Sequence, residues 1–293
     1  MNKLNKKLIR IKKQLNKLDK SGKSSSMAYK YLQDELHLYL DSNYDTKDVE
    51  KFIISSFWKD AYKNYKDGGY ITNDAYISKV RFKYEKTILN EKLDKFCKNS
   101  KRALDIGCGN GRYTKEFTKK FDEVVGIDLS KNQIKENKIR NKKENIKYLN
   151  ENFIDSKNNN LGTFDFIFVG DIFMYTNAKD IEKVFTSLIK LLNKDGLLIV
   201  RESSMKVGFE DYKSKNYVAY YRNKKFYKSG VFNNNFLKSY RNHGYNLYDL
   251  GKYFSVFKNE RDAIKKYPLM LDDIVSKFIQ DTKRTSYFYL YKV

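Results

Sequence analysis

The spacing of hydrophobic positions changes near residue 100. Before it, apolar residues recur every three or four positions, the spacing of one helical face. In the first twenty residues this face consists of Leu4, Leu8, Ile11, Leu15 and Leu18. After it, short apolar runs predict strands at 103–106, 124–128, 146–149, 164–169 and 196–200, separated by helices near 112–120, 131–143 and 181–192. This alternation predicts an α/β fold with a parallel sheet covered on both faces.

The same pattern divides the chain into three predicted parts. Residues 1–24 form a basic amphipathic helix, residues 25–98 a helical cap, and residues 99–293 the sheet domain. For the first helix we weigh a short coiled coil, a membrane-surface helix and a helix docked on its own domain. Docking or weak self-association is favoured, because two heptads are marginal for a coiled coil and the helix lacks Trp and Phe. The final run, Tyr287–Val293, predicts a strand, with a strand near Tyr245–Leu250 as a candidate partner.

Composition excludes several classes of protein. No apolar run approaches the ~18 residues of a transmembrane helix, and two cysteines in 293 residues exclude a disulfide scaffold. A cytoplasmic protein without a bound metal is expected. The net charge of +23 has two readings, an anionic partner or the codon usage of an AT-rich genome, and both stay open.

The clearest candidate site is a glycine-rich segment that follows the first predicted strand. Gly107, Gly109 and Gly111 lie between that strand and a helix, at the sheet edge where such folds bind ligands. Asp105 precedes them, and its charge repels a diphosphate and attracts a cation by ~4 kcal/mol at about 4 Å. S-adenosylmethionine carries two cationic groups and no phosphate, so this loop predicts it as the cofactor. Asp128 ends the next strand and is predicted to accept hydrogen bonds from a ribose.

These segments resemble the class I S-adenosylmethionine-dependent methyltransferases over about residues 100–203. The matching segments are LDIGCGNGRYT (104–114), VVGIDLS (124–130), YLNENFID (148–155), FDFIFVGDIFMY (164–175) and LLNKDGLLIVRES (191–203). The resemblance implies a Rossmann-like seven-stranded sheet whose last strand is antiparallel. It also implies that Asp105 and the three glycines line the methionine moiety and that Asp128 holds the ribose. The remaining implied positions are Leu129 on adenine, Asn152 and Phe153 at the adenine edge, and Gly170 and Asp171 beside the reacting methyl.

The acceptor side is predicted from the later segments. In this fold, stretches such as 203–235 and 253–283 cover the acceptor. A weaker resemblance to small-molecule and sugar-type methyltransferases, in VRESS and NYVAYYRNKKFY, makes Arg201, Tyr221 and Arg222 candidate acceptor contacts. The candidate general bases are Asp171, Tyr175 and Glu202. The only proline is Pro268, so the Pro-Pro motif of enzymes that methylate base amines is absent.

The sequence therefore predicts a methyltransferase that acts on an oxygen or nitrogen of a small molecule, with sugars and phosphorylated metabolites as candidate acceptors. Two alternatives stay open. One is an RNA methyltransferase that uses the basic N-terminal region, and the other is a cofactor-binding module without turnover.

Overall fold

The computed structural model describes most of the sheet domain and parts of the N-terminal region. The described residues are 75–154, 161–205, 208–213, 217–242 and 284–293, together with 50–51, 53–59, 262, 265 and separate positions between 10 and 32. The chain divides into two compact units, Met1–Phe57 with Lys213–Val218 and Trp58–Tyr212 with Ala219–Val293.

In the first unit, the described positions between 10 and 18 are helical. Ile11 is fully buried, whereas Arg10, Lys13 and Lys17 are exposed. This distribution is that of an amphipathic helix with a covered apolar face, and the choice among the three alternatives for this helix stays a prediction.

Seven strands of the second unit form one sheet. They are β1 (Arg102–Ile106), β2 (Glu123–Asp128), β3 (Ile146–Asn150), β4 (Phe164–Gly170), β5 (Leu192–Met205), β8 (Phe236–Arg241) and β9 (Arg284–Lys292). Their order is β3-β2-β1-β4-β5-β9-β8. Neighbours from β3 to β5 pair in parallel, while β9 is antiparallel to both β5 and β8. The predicted α/β fold, with seven strands and an antiparallel last strand, is confirmed.

Helices cover both faces of this sheet. They are α1 (Ala75–Phe96), α2 (Arg112–Phe117), α3 (Lys131–Arg140) and α4 (Ala178–Lys190). Alternate residues of β4 show why, since Phe166 and Phe168 pack with α1 and α2 while Ile167 and Val169 pack with α4. A strand that is apolar on both faces is stable only when both are covered.

Two expectations about chain organisation need correction. The helix α1 lies in the same compact unit as the sheet, because Leu89 and Leu93 fill the core with sheet residues, so the predicted boundary at residue 98 does not separate compact units. The terminal strand β9 pairs with β8, not with a strand at Tyr245–Leu250, because β5 and β8 occupy both of its edges. Residues 245–250 lie outside the described residues.

The two stretches that are predicted to cover the acceptor, 203–235 and 253–283, are described to different extents. The first contains the end of β5, the strands β6 (Phe209–Lys213) and β7 (Val218–Arg222), which pair in a separate sheet, and two short 3-10 turns, Phe226–Lys228 and Gly230–Asn235. Within 253–283, only residues 262 and 265 are described. No helix in the described ranges is long and apolar enough to cross a bilayer.

Candidate active site

The glycine loop follows the carboxyl end of β1. The amides of Gly107 and Cys108 donate to the Ile127 carbonyl at 2.8 and 3.0 Å, which ties the loop to β2. Gly107 has a φ of +70°, and a Cβ there would lie 2.3 Å from Ile172 Cδ1. The loop therefore needs glycine for its conformation and for its close approach to the segment after β4.

Asn137 of α3 and Asn141, the residue directly after α3, hold this loop from the other side. Asn137 Nδ2 donates to the Gly109 carbonyl at 2.7 Å, and Asn141 Nδ2 donates to the Asn110 carbonyl at 3.1 Å. No sequence motif pointed to these two residues. The sequence feature that could have identified them is a pair of side-chain amides four residues apart, a spacing that places both on one side of a helix.

Asp105 lies buried beneath the loop. Its carboxylate is 1% exposed and accepts a hydrogen bond from Thr114 Oγ1 at 2.5 Å. Burial raises the pKa of Asp105 to about 7, the Thr114 hydrogen bond opposes this, and the nearby charge of Asp128 adds to it. The raised pKa shows that the protein alone stabilises this negative charge poorly, and a bound cation would stabilise it.

Asp128 stands at the carboxyl end of β2. Its Oδ2 accepts from the Gly109 amide at 2.9 Å, and its Oδ1 accepts from the Ser130 amide at 2.8 Å. Burial raises the pKa of Asp128, and these two amides oppose the shift. Each carboxylate oxygen can accept a second hydrogen bond, so the group keeps the capacity to bind ribose hydroxyls.

The predicted adenine contacts follow Asp128 and β3. Leu129 and Asn152 are half-buried, and Asn152 Oδ1 accepts from the Ile154 amide at 3.3 Å. The ring of Phe153 is 5% exposed and packs in the main core. The structure thus brings these positions to the end of the sheet that carries the glycine loop, and their contacts with adenine stay a prediction.

These features fit S-adenosylmethionine. Glycines line a cradle that side chains would fill, a poorly compensated carboxylate lies below it, and Asp128 offers hydrogen-bond acceptors where the ribose is predicted to bind. Among the described residues, no group of three or more His, Cys, Asp and Glu side chains could hold a metal ion.

The segment after β4 borders the loop through Ile172. Asp171 follows Gly170, has a φ of +52°, and donates its backbone amide to the Arg201 carbonyl at 2.8 Å. The Arg201 side chain donates from Nη1 to Asp171 Oδ2, so both parts of Arg201 hold Asp171. The chain then forms the 3-10 turn Phe173–Tyr175.

An aromatic pair lies at the end of this turn. The ring of Tyr175, which is 7% exposed, meets the ring of Trp58 edge-on, with centroids 5.0 Å apart. Trp58 was not among the residues predicted from sequence, because it lies far from the matching motifs and only tertiary folding brings it to this turn.

Glu202 and Arg222 support the turn from inside the protein. Glu202 is fully buried, and its oxygens accept from the Phe173 and Met174 amides at 2.6 and 3.3 Å. Burial raises the pKa of Glu202 well above its ordinary range, and the Asp171 charge adds to this shift. Arg222 donates from Nη1 to the Phe173 carbonyl at 2.8 Å and from Nη2 to the Thr176 carbonyl.

These contacts engage Glu202 and Arg222 inside the protein. The fully buried Glu202 side chain accepts hydrogen bonds from two amides of the turn and so supports its backbone, and its role as a general base stays a prediction. The buried guanidinium of Arg222 likewise holds carbonyls. Tyr221 is 8% exposed on β7, so its predicted contact with an acceptor would involve only a small part of its side chain.

Comparisons with known proteins agree with this geometry. A family described as a methyltransferase domain matches residues 103–196, which contain the glycine loop, Asp128 and Asp171. A solved S-adenosylmethionine-dependent methyltransferase from Leishmania major superposes with a TM-score of 0.55 over 80% of each chain, at 15% identity, which shows a shared fold.

Two curated relatives cover part of the chain. Phosphoethanolamine N-methyltransferase 1 of Arabidopsis thaliana is 30% identical over 130 residues, which are 43% of this chain and 26% of that protein. The ubiquinone biosynthesis O-methyltransferase of Pelagibacter ubique is 30% identical over 158 residues, 53% of this chain and 63% of that protein. The chain thus spans less than two thirds of the length of these relatives. Together with the fold and the glycine loop, these matches show that residues 103–196 match a methyltransferase domain, and they support the resemblance to class I, S-adenosylmethionine-dependent methyltransferases.

Proposed function

We propose that the protein transfers a methyl group from S-adenosylmethionine to a small molecule and that the accepting atom is an amine nitrogen. The observation that carries this proposal is the placement of the Asp171 carboxylate. It stands after β4, next to the glycine loop, and the same short segment leads to the Trp58–Tyr175 pair. Carboxylates and aromatic rings are the groups that attract cationic nitrogen.

The chain's own residues would act mainly by binding and orientation. When bound, S-adenosylmethionine supplies a methyl group on a sulfonium, which is already an activated leaving group. The glycine loop and Asp128 would hold the cofactor. The turn supported by Glu202 and Arg222 would form the surface against which the acceptor binds. Orientation of this kind contributes up to about 7–11 kcal/mol in favourable cases.

The charges around Asp171 favour nitrogen over oxygen. An amine that attacks in its neutral form becomes positive in the transition state, and a fixed carboxylate stabilises that developing charge. A hydroxyl acceptor benefits from a general base instead. Arg201 is shared by two carboxylates, Asp171 and Glu85, so this group of three side chains keeps a net negative charge. The same pairing makes Asp171 a poor base, and Glu202 is fully buried beneath the turn. Tyr175 was predicted from sequence as a candidate general base, and in this proposal its ring orients the acceptor.

The relatives support the same direction. The plant relative is named for N-methylation of phosphoethanolamine, a small molecule that combines an amine with a phosphate. The bacterial relative is named as an O-methyltransferase, so hydroxyl acceptors belong in the test.

The test is a methyl-transfer assay with labelled S-adenosylmethionine and a panel of acceptors. Phosphoethanolamine, ethanolamine, a hexose phosphate, a catechol and RNA are offered separately, and products are identified by mass spectrometry. We expect methylation of an amine and a rate that rises with pH as the amine loses its proton. A methyl group found on oxygen would refute the nitrogen assignment, and cofactor binding without turnover on the panel or a metabolite extract would favour a non-catalytic module.

Asp128→Asn tests the cofactor site independently of the acceptor. The amide keeps the side-chain shape but loses the charge that receives ribose hydroxyls, and hydrogen bonds to charged groups contribute ~1.5–3 kcal/mol. We therefore expect the Kd for S-adenosylmethionine to rise about ten- to a hundred-fold in isothermal titration calorimetry. Asp122→Asn, which alters an exposed acid just before β2, is the matched control and should bind normally. An unchanged Kd for Asp128→Asn would contradict the ribose assignment.

The RNA alternative rests on the basic segment 1–24, most of which lies outside the described residues. Removal of this segment provides its test. If the protein binds RNA through it, affinity should fall on removal and should weaken by decades between ~50 and 200 mM salt in the intact chain. RNA binding that survives the removal would count against this alternative.

A further inference from the structure

We propose that Glu85 of α1 is a positioning residue that fixes the Asp171 carboxylate through Arg201, and so couples the helix before the sheet to the acceptor end of the site. Its catalytic consequence rests on the proposed function. Glu85 precedes residues 103–196, which match the methyltransferase family, and no sequence motif pointed to it.

Glu85 is a buried acid that is surrounded by hydrogen-bond donors. The side chain is fully buried, and an ionised carboxylate is costly to bury unless donors compensate its charge. Its Oε1 accepts from Arg201 Nε at 2.8 Å and from Asn242 Nδ2 at 2.6 Å, and its Oε2 accepts from the Tyr113 hydroxyl. Glu85 thus joins α1 to α2, to β5 and to the residue after β8.

Arg201 lies between two carboxylates. Its Nε donates to Glu85 and its Nη1 donates to Asp171, while only 6% of the residue is exposed. A guanidinium is planar, so fixing Nε fixes the direction in which Nη1 points. Of these two carboxylates, Glu85 is buried and Asp171 is 28% exposed. Glu85 therefore anchors the arginine from the interior, and Asp171 transmits the orientation of the arginine to the site.

The backbone at Asp171 shows why such anchoring matters. A φ of +52° is unfavourable for a residue with a side chain and persists when neighbouring contacts over-determine it. The amide and the carboxylate of Asp171 both bond to Arg201. Loss of Glu85 would allow the guanidinium to rotate, and Asp171 and the turn that ends at Tyr175 would lose part of this constraint.

Trp58 provides a readout that does not depend on turnover. It is the only tryptophan of the chain and its ring touches Tyr175, so its fluorescence reports on this turn. In the full-length protein, Glu85→Gln is expected to raise acrylamide quenching of Trp58 about twofold, as local opening increases. Glu91→Gln, on the same helix with a side chain 62% exposed, is the matched control and should leave quenching unchanged.

A double-mutant cycle separates positioning from a general structural role. If Glu85 acts through Arg201 on Asp171, Glu85→Gln should add little to the quenching change caused by Asp171→Asn. Independent, additive effects, or unchanged quenching in Glu85→Gln, would overturn the inference. If Glu85→Gln does not fold, Glu85→Asp retains the charge on a shorter side chain and should show a smaller change of the same sign. A folded Glu85→Asp with unchanged Trp58 would then overturn it.

Kinetics complete the test. With an acceptor that turns over, Glu85→Gln should lower kcat/KM for that acceptor about ten- to a hundred-fold, as misplacement of a reacting pair does. The Kd for S-adenosylmethionine should change much less than kcat/KM, because Asp105 and Asp128 keep their own hydrogen-bond partners in this variant. If wild-type protein transfers no methyl group while Trp58 responds as expected, the proposed function fails and the coupling stands. Normal kcat/KM in Glu85→Gln would refute the positioning role alone.

Discussion

Gly107→Ala is expected to remove most binding of S-adenosylmethionine. Two effects act together at this position. The φ of +70° places an L-residue in the left-handed region, which costs ~1–2 kcal/mol. The added Cβ would also lie 2.3 Å from Ile172 Cδ1 and 2.9 Å from its Cγ1, so the Ile172 side chain or the loop must move. Displacement of either would change the cradle that is predicted to hold the methionine moiety.

The controls separate these two effects. Gly208 has a φ of +71°, but a Cβ at this position would meet no atom of the described residues within 4 Å, so Gly208→Ala carries the conformational penalty without the collision. We expect that variant to lose thermal stability and to bind the cofactor normally. Adding Ile172→Ala to Gly107→Ala should recover part of the lost affinity in calorimetry. Wild-type affinity in Gly107→Ala would show that the cofactor does not occupy this loop.

Asp105→Asn is expected to weaken cofactor binding and to stabilise the cofactor-free protein. The carboxylate is 1% exposed with a pKa of about 7, so its ionised form is disfavoured until a cation arrives. The neutral amide removes that cost, but it also removes the attraction for the sulfonium and amino groups. We expect the Kd to rise at least about tenfold at pH 8, in line with ~1.5 kcal/mol for a charged partner.

The pH dependence has a definite sign. Because the pKa of Asp105 rises from 3.8 to about 7 on folding, the folded protein holds this proton more tightly than the unfolded chain. Its contribution to stability is therefore present below pH 3.8 and is lost as the pH rises through about 7. The cofactor favours the ionised form, so its affinity should fall as the pH drops below 7, by at most about tenfold per pH unit.

Calorimetry and thermal unfolding between pH 5.5 and 7.5 check both effects. In Asp105→Asn the dependence of cofactor affinity on pH should flatten, and the Tm of the cofactor-free protein at high pH should rise. Asp122→Asn is the control for these measurements as well, since that acid is exposed. A wild-type affinity that does not change with pH would contradict the role given to the Asp105 charge.

The glycine loop and the strands around it were predictable because their signals are local. Glycines after an apolar strand require a tight turn whatever the rest of the chain does, and Asp105 and Asp128 stand at fixed offsets from strand ends. The strands of the central sheet have the same property, since β4 is apolar on both faces and must be covered on both. These features are encoded in short stretches of sequence.

The partner of the terminal strand was not predictable in this way. The strand β8 has the sequence FLKSYR and is mostly half-buried or exposed, so its pattern gives little indication of a neighbour. One edge of β9 pairs with β5, and β8 pairs with the edge of β9 that remains open. Likewise, the sequence predicts that Arg222 contacts the acceptor. Only the structure shows that its side chain donates a hydrogen bond to the Phe173 carbonyl inside the protein.

The sequence by itself determined the class of fold, the glycine loop, and the charges at the ends of β1 and β2, because each depends on residues that are close together in the chain. The tertiary structure decided which charged side chains face the site and which support it. Glu85 and Arg201 are separated by 116 residues along the chain and Asp171 and Arg201 by 30, and they meet only when α1, β5 and the end of β4 pack together. A buried charge takes its role from the donors around it, and those donors are assembled by folding.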